Sequence, residues 1–233
     1  MDGSFTARVL YEDNHIVVVN KLPGEIVQGD KSGDIPLSEH VRRYIAWKYQ
    51  KPGAAFLGVV HRLDRPVSGA VAFARTSKAL ARLNQMLRER RIKKTYWAVV
   101  KEKPPAIRET LVHHLVRNEK LNKTFVSDRS GEGTSEASLT YSLIAQSDNF
   151  YLLEVDLHTG RHHQIRAQLS HIGCPIKGDL KYGFARSNPG GFIHLHSRSL
   201  EFIHPVRKEE VSILASPPSD PVWDYFSSLQ IPR

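Results

Sequence analysis

The chain has 233 residues, a formal net charge of +9 and a pI near 9.7, which favours a polyanionic partner, most often a nucleic acid. No apolar run reaches the ~18 residues of a membrane-spanning helix, so we expect no membrane partner. The single cysteine, Cys174, excludes an internal disulfide framework, and the first residues lack a secretion signal, so we expect a cytoplasmic protein.

The N-terminal half predicts strands and two helices. Residues 15–20 (HIVVVN) predict a buried strand that ends in a Lys-Leu-Pro-Gly turn, and residues 37–50 predict a helix. Residues 69–74 predict a strand, after which Thr76 or Ser77 caps a second helix. The apolar stripe of that helix, which we expect in the core, consists of Leu80, Leu83 and Leu87.

The C-terminal half predicts more strand than helix. Residues 94–101 predict a strand, and residues 137–145 and 150–158 alternate well enough to predict a hairpin. A glycine turn then leads into a predicted helix over residues 161–172, which ends before Gly173.

Residues 200–203 and 211–214 predict two further strands, followed by a short C-terminal helix. Residues 119–135 are polar and contain glycine, so they predict a mobile loop. Strands outnumber helices and several are joined by short turns, which predicts an α+β fold on a largely antiparallel sheet. We expect one domain over residues 1–233.

A carboxylate lies among cations in the segment His61-Arg62-Leu63-Asp64-Arg65. Flanking cations hold a carboxylate in its ionised form, as acid–base or nucleophilic chemistry requires. The alternative is a weak surface ion pair without function. The segment is therefore a candidate site for Asp64, with His61, Arg62 and Arg65 as candidate RNA contacts.

A second candidate segment, Gly160 to Arg166, places basic and amide donors after a glycine turn. Such a turn at a helix start suits phosphate or nucleotide recognition, here by Arg161, His163 and Gln164. In the predicted helix, His162 and His163 share a face with Arg166. The alternative is a metal site that also uses His158 and His171. We expect no metal, because carboxylate or cysteine ligands at metal spacing are missing and the arginines would repel a cation.

The strongest concentration of positive charge is RERRIKK, residues 88–94. Its side chains predict contacts with nucleic-acid phosphates, whereas the alternative is a solvated helix end that suits the helix dipole. The candidate phosphate contacts are Arg90, Arg91, Lys93 and Lys94.

The motif His61-Arg62-Leu63-Asp64 with Ser68-Gly69 resembles the central motif of the RluA-type RNA pseudouridine synthases. The resemblance extends along most of the chain in one order. It covers Glu12 to Gly24, Lys94 to Trp97, Gly160 to Gly183 and Leu195 to Pro205. Three positions depart from the family pattern: Leu22 replaces a proline, and Val67 and His162 replace threonines. The resemblance starts within the opening residues, so we expect a catalytic domain alone.

The resemblance implies the pseudouridine synthase fold, a mixed, mostly antiparallel sheet flanked by helices with a basic central cleft. It also implies three catalytic residues. Asp64 would act as nucleophile or as base, Tyr96 would stack on the uracil, and Arg166 would pair with Asp64. The implied reaction needs no metal, nucleotide or other cofactor. The implied partner is transfer or ribosomal RNA, and we expect a monomer.

Two other functions remain open at this point. A non-catalytic RNA-binding or ribosome-assembly factor would use the same cleft without turnover. A glycosidase or nucleoside hydrolase would use two carboxylates, for which Glu154 and Asp156 are candidates because they share a face of a predicted strand. The strand's alternation already explains both as its polar side.

Overall fold

Residues 3–50, 55–127 and 129–229 are described by a computed structural model, which places eleven strands and five α-helices in those ranges. The strands are β1 (Val9–Glu12), β2 (Ile16–Lys21), β3 (Gly58–Val59), β4 (Ser68–Ala74), β5 (Lys93–Val100), β6 (Arg108–Asn118), β7 (Lys123–Ser127), β8 (Thr134–Gln146), β9 (Tyr151–Leu157), β10 (Leu195–Ile203) and β11 (Glu210–Leu214). The helices are α1 (Gly3–Thr6), α2 (Leu37–Lys48), α3 (Ser77–Arg88), α4 (Gln164–His171) and α5 (Pro221–Ser228). The predicted α+β class is confirmed.

By its internal contacts the chain divides into two units. The first consists of residues 1–93 and 197–216, and the second of residues 94–196 and 217–233. One catalytic domain over residues 1–233 stays a prediction, as does the basic cleft. In the part of the chain that the structure describes, no helix has the length and apolar character to cross a membrane.

The first unit is a sheet covered by α3. Its strands pair in the order β1-β2-β4-β10, with β3 on β4 and β11 on β10. Residues 16–19 of β2 have no exposed surface, as the β-branched run predicts. Thr76 Oγ1 accepts the Ala79 amide at 3.1 Å and caps α3. Leu83 is buried against the sheet with Leu80 and Leu87 partly buried beside it, so the predicted stripe is core.

The second unit is an antiparallel sheet in the order β5-β9-β8-β6-β7. The predicted hairpin is confirmed as β8 and β9. One core cluster joins Trp97 of β5 to Trp223 and Phe226 of α5. A second joins the β6–β8 part of the sheet to Ala167 of α4 and to Tyr182. Helix α4 is thereby fixed against the far end of this sheet.

Two sequence predictions were wrong in this unit. Residues 119–135, predicted as a mobile loop, contain β7 and the start of β8, because the backbone of this polar segment pairs with β6. The predicted helix over residues 161–172 begins only at Gln164, because His163 has a left-handed backbone (φ 52°). His162 and Arg166 therefore do not share a helical face.

Candidate active site

Asp64 lies in the segment that connects β3 to β4 in the first unit, where it is partly buried. Its carbonyl oxygen accepts the Val67 amide at 3.0 Å, which closes a turn into β4. The Arg65 carbonyl accepts the Gly24 amide at 2.8 Å. The turn after β2 and the segment that carries Asp64 are therefore joined through the backbone.

Lys21, the last residue of β2, strengthens this connection. Its side chain has no exposed surface, and Nζ donates to the carbonyls of Leu22, Arg65 and Val67 at 3.0, 3.1 and 2.6 Å. Burial lowers the pKa of Lys21 to about 7, against the opposing charges of Glu25 and Asp64. Three carbonyls match the three donors of an ammonium group. Lys21 thus links β2 to the Asp64 segment and brings positive charge to it.

The three predicted RNA contacts beside Asp64 differ in their surroundings. Arg62 is exposed, whereas His61 uses Nε2 to accept the Ala72 amide at 3.1 Å. Arg65 forms an ion pair with Asp34 at 2.7 Å, and its hydrogen bond lowers the pKa of the Asp34 carboxyl. Arg62 is thus exposed for an RNA phosphate, while Arg65 would have to exchange a carboxylate for one.

Tyr96 lies on β5 of the second unit and is 6% exposed. It pairs with Val155 of β9, and its neighbour Thr95 contacts Asp156 with its hydroxyl at 3.2 Å. Glu154 and Asp156 both lie on β9, as predicted. Tyr96 is therefore a largely buried residue of a paired strand.

Arg166, the third residue of α4, forms a two-point ion pair with Asp179. Nε donates to Oδ2 at 2.6 Å and Nη2 donates to Oδ1 at 2.9 Å, with the two side chains 6% and 1% exposed. A planar guanidinium suits this geometry, and lysine would not reproduce it. The expected pairing of Arg166 with Asp64 stays a prediction.

Tyr182 organises the residues around the start of α4. Its ring lies 4.9 Å from the Arg166 guanidinium, and its hydroxyl accepts the Thr124 amide at 2.8 Å. The same hydroxyl lies 3.0 Å from Nδ1 of His163. The His162 ring stacks on His163 at 3.8 Å and contacts the Thr124 hydroxyl at 2.9 Å. Left-handed backbone at His163, not helical register, brings these side chains together.

The neighbouring predicted contacts hold the turn before α4. The Gln164 amide oxygen accepts from the Thr159 hydroxyl at 2.7 Å and from the Arg161 amide at 3.0 Å. Arg161 is exposed and donates Nε to the Glu136 carbonyl at 3.1 Å. Gln164 is thus engaged internally, whereas Arg161 keeps part of its guanidinium at the surface.

The RERRIKK cluster follows the end of α3. Arg91 and Lys93 form ion pairs with Glu89 and Glu201, and burial lowers the pKa of Lys94. Arg90 is exposed with a left-handed backbone (φ 56°). Much of this charge therefore already has a partner or is withdrawn from the surface.

The histidines near α4 were considered as metal ligands, and the sequence predicts that they bind no metal. Across residues 3–50, 55–127 and 129–229, no group of three or more His, Cys, Asp and Glu side chains is placed to hold a metal ion. His158 instead contacts the Thr140 hydroxyl at 2.9 Å, and His171 packs against His113.

The arrangement can be compared with known protein families. The sequence profile of the RNA pseudouridylate synthase family matches residues 15–171, more than half of the chain. The chain belongs to this family. RNA pseudouridine synthases are isomerases that convert uridine to pseudouridine, so the predicted family and enzyme class are confirmed.

Curated pseudouridine synthases of two kinds resemble the chain. A ribosomal large subunit pseudouridine synthase C of Buchnera aphidicola (subsp. Baizongia pistaciae) is 32% identical over 222 residues, covering 91% of this chain and 67% of the relative. A tRNA pseudouridine synthase C of Haemophilus influenzae is 28% identical over 225 residues, covering 89% and 91% of the two chains. The chain spans about two thirds of the length of most ribosomal relatives that it matches.

Two solved structures resemble the fold. Human RNA pseudouridylate synthase domain containing 4 superposes with a TM-score of 0.79 at 23% identity, covering 96% of this chain and 93% of that one. Human RNA pseudouridylate synthase domain containing 1 has a TM-score of 0.73 at 25% identity, covering 93% and 86%. The pseudouridine synthase fold predicted from the motifs is confirmed.

The family match includes Asp64, Tyr96 and Arg166, but three other residues of this pseudouridine synthase were not assigned a role from the sequence. Lys21, Asp179 and Tyr182 stood only as positions in the motifs. Only their place in those motifs could have indicated a role. A lysine that becomes buried, or an ion pair between residues 13 positions apart, cannot be identified from a local sequence pattern.

Proposed function

We propose that this pseudouridine synthase isomerises a uridine of ribosomal or transfer RNA, with Asp64 as the essential carboxylate. The observation that supports this most is the family match over the segment that carries Asp64, together with the motif matches at Tyr96 and Arg166. Relatives named for ribosomal RNA and for tRNA both support RNA as the substrate. We propose further that the chain acts as a monomer in the cytoplasm.

The reaction conserves all atoms. The bond between uracil N1 and ribose C1′ breaks, the base turns, a bond forms between C5 and C1′, and the C5 proton leaves as N1 gains one. Asp64 acts either as the nucleophile or as the base that removes a sugar proton.

Tyr96 and Arg166 have supporting roles in the proposal. Tyr96 stacks on the displaced uracil, as aromatic side chains do with unstacked RNA bases. Arg166 pairs with Asp64 and keeps its charge oriented, while Asp179 holds the other edge of the guanidinium. The uridine must leave its stack, which costs a few kcal/mol and is least costly in loops or distorted helices.

RNA phosphates and bases would be contacted by residues of both units. Around Asp64 the proposed contacts are His61, Arg62 and Arg65, and around Arg166 they are Arg161, His163 and Gln164. The RERRIKK cluster contributes Arg90, Arg91, Lys93 and Lys94. Exposed members, Arg62 and Arg90 among them, are expected to contribute more than those already paired.

The experiment is turnover by an Asp64→Asn variant on RNA tritiated at uridine C5. We expect a loss of more than about 10³-fold in tritium release with RNA binding retained. Asp148→Asn is the matched control, because Asp148 is an exposed carboxylate in the turn between β8 and β9. Turnover by Asp64→Asn near that of the control would overturn the catalytic assignment.

The RNA substrate is identified by mapping pseudouridine in ribosomal and transfer RNA from cells with and without the gene. A site lost only in the deletion strain, and restored by the wild-type gene but not by Asp64→Asn, would establish the target. The non-catalytic alternative would be supported if the deletion strain lost no pseudouridine but had a ribosome-assembly defect that the Asp64→Asn variant corrects.

A further inference from the structure

The hairpin formed by β6 and β7 presents a concentration of positive charge that the sequence did not single out. Arg117 and Lys120 are exposed, and Lys123 is partly exposed. Lys181, which follows in the chain much later, is exposed beside the hairpin turn and donates Nζ to the Asn122 carbonyl at 3.1 Å. These four cations, Arg117, Lys120, Lys123 and Lys181, are called the hairpin cluster below.

Among the described residues, the hairpin cluster has no carboxylate that pairs with it. Within residues 3–50, 55–127 and 129–229, none of its members forms an ion pair with a carboxylate, and Glu119, the one acidic residue between 117 and 123, pairs with none of them. Other surface cations differ, since Arg65 pairs with Asp34 and Arg207 with Glu209. The charge of the hairpin cluster is therefore available to an external anion.

A second observation is that two cations lie close to the same aromatic ring. The ring of Tyr182 lies within reach of two cations, the Lys123 ammonium at 5.0 Å and the Arg166 guanidinium at 4.9 Å from its centroid. Each is attracted by the ring. Because Arg166 is already paired with Asp179, Lys123 is the cation of the two that an external anion would contact.

The positive charge around Tyr182 also affects the pKa of the neighbouring His163. Burial, together with the charges of Arg166, His162, Lys181 and Arg117, lowers the pKa of His163 to about 2. His163 is therefore neutral at physiological pH. It can bond to the Tyr182 hydroxyl without adding another positive charge to the cluster.

The hairpin is fixed to the helix that carries Arg166. The Thr124 amide donates to the Tyr182 hydroxyl, and the Thr124 side chain contacts His162, which directly precedes the N-cap of α4. The turn is ordered as well, since the Asn118 side chain accepts the Leu121 amide at 3.0 Å. The hairpin cluster thus has a defined position relative to Arg166 within the second unit, as positioning a ligand requires.

We propose that the hairpin cluster is a binding surface for the RNA backbone that positions the strand next to the reacting nucleotide. That the bound anion is RNA rests on the proposed function, whereas the existence of the positively charged surface does not. Lysine and arginine side chains that pair with no carboxylate are suited to bind phosphates. Such phosphate contacts fix the register of the RNA on the protein but do not read its sequence. The surface would therefore increase affinity for many RNAs without selecting the uridine.

The test compares two triple variants with the same net charge. Arg117→Gln, Lys123→Gln and Lys181→Gln together remove the hairpin cluster's main charge. Arg42→Gln, Arg43→Gln and Arg207→Gln together remove three surface cations that already pair with carboxylates. The probe is a fluorescently labelled RNA stem–loop with uridines in its loop, and its Kd is measured over a range of salt concentrations.

We expect the hairpin variant to flatten the log–log salt dependence of binding by about 2, since each phosphate contact contributes roughly 0.7 to 0.9 to the slope. The control variant should keep the wild-type slope. Charge-conserving changes, Lys123→Arg with Lys181→Arg, should keep it as well. If the triple variant does not fold, Lys120→Gln combined with Lys123→Gln is measured instead, because Lys120 is exposed.

Equal slopes for the hairpin and control variants would overturn the inference even if the wild-type protein makes pseudouridine. A flattened slope confined to the hairpin variant would support it even if no uridine were isomerised, and would then count against the proposed function alone. Binding and turnover are thus separate measurements of the two proposals.

Discussion

The guanidinium of Arg166 and the carboxylate of Asp179 meet at two points, at 2.6 and 2.9 Å, with both side chains buried. Removing one partner of a buried pair typically costs about 3–5 kcal/mol, because the other charge stays buried without compensation. We therefore expect Arg166→Met to destabilise the protein by that amount. Asp179→Asn in the same chain should recover part of the loss, giving a coupling of at least ~1 kcal/mol in urea unfolding.

The control cycle uses Arg91 and Glu89, whose ion pair lies at the surface with side chains 54% and 42% exposed. Exposed pairs contribute little to stability because solvent screens them. We expect Arg91→Met and Glu89→Gln to show no measurable coupling. Additive effects in the Arg166–Asp179 cycle would contradict the two-point pair.

The sequence predicted Arg166 as an active-site residue but not its Asp179 partner. The motif match identified both positions, whereas the pair depends on how the chain after α4 returns to the helix. The start of α4 shows the same limit. Left-handed backbone at His163 has no signature in a histidine-rich segment, so the predicted helix began three residues too early. Local patterns identify helices better than their first residues.

Lys21 should be essential for the stability of the first unit. Lys21→Met leaves the buried Val67 carbonyl and the partly buried Leu22 carbonyl without this donor, at about 1–3 kcal/mol for an unsatisfied group, whereas the Arg65 carbonyl still accepts the Gly24 amide. We expect a loss of at least about 2 kcal/mol at pH 7 by urea unfolding. Lys31→Met is the control, because Lys31 is exposed in the same unit, and it should leave stability unchanged.

The pKa of Lys21 gives a second, independent readout. Burial lowers it from 10.5 to about 7, so between these values the unfolded chain binds a proton that the folded protein releases. The stability of the wild-type protein should therefore rise with pH over this range, by up to about 1.4 kcal/mol per pH unit. Lys21→Met should lack this rise. An identical pH dependence in both proteins would show that Lys21 keeps an ordinary pKa.

Acid should destabilise the second unit through a buried histidine. The pKa of His194 is lowered to about 4 by burial and by the Lys177 charge, against the carboxylate of Asp220. Its contribution to stability is complete above about pH 6.5 and is lost as pH falls toward 4, since only the unfolded chain takes up the proton. We expect His194→Gln to show a shallower loss of melting temperature between pH 7 and 5. Parallel curves would contradict the lowered pKa.

The fold itself was predictable where strands are apolar. Strand β2 is a β-branched run with both faces buried, and α3 has an apolar stripe after a capping threonine. Strand β7 was not predictable by the same means. Lys123 and Phe125 are not buried, and the segment is a strand because its backbone pairs with the adjacent β6 in a hairpin that polar composition conceals.

Gly69, the glycine of the Ser68-Gly69 motif, should tolerate no side chain. Its φ is +117°, and a Cβ there would lie 2.4 Å from the Ser197 carbonyl oxygen and 2.5 Å from the Ser197 nitrogen, both backbone atoms of β10. Gly69→Ala must therefore both strain the backbone and displace β10 from β4. Overpacking costs about 1–3 kcal/mol and an unfavourable φ adds about 1–3 kcal/mol.

We expect Gly69→Ala to lose at least about 2 kcal/mol in urea unfolding. Gly29→Ala, in the same unit, is the matched control, because a Cβ at Gly29 meets nothing within 4 Å and its φ lies outside the left-handed region. That variant should stay within about 0.5 kcal/mol of wild type. Equal stability of the two variants would mean that β4 and β10 do not approach this closely, and that the motif keeps glycine for another reason.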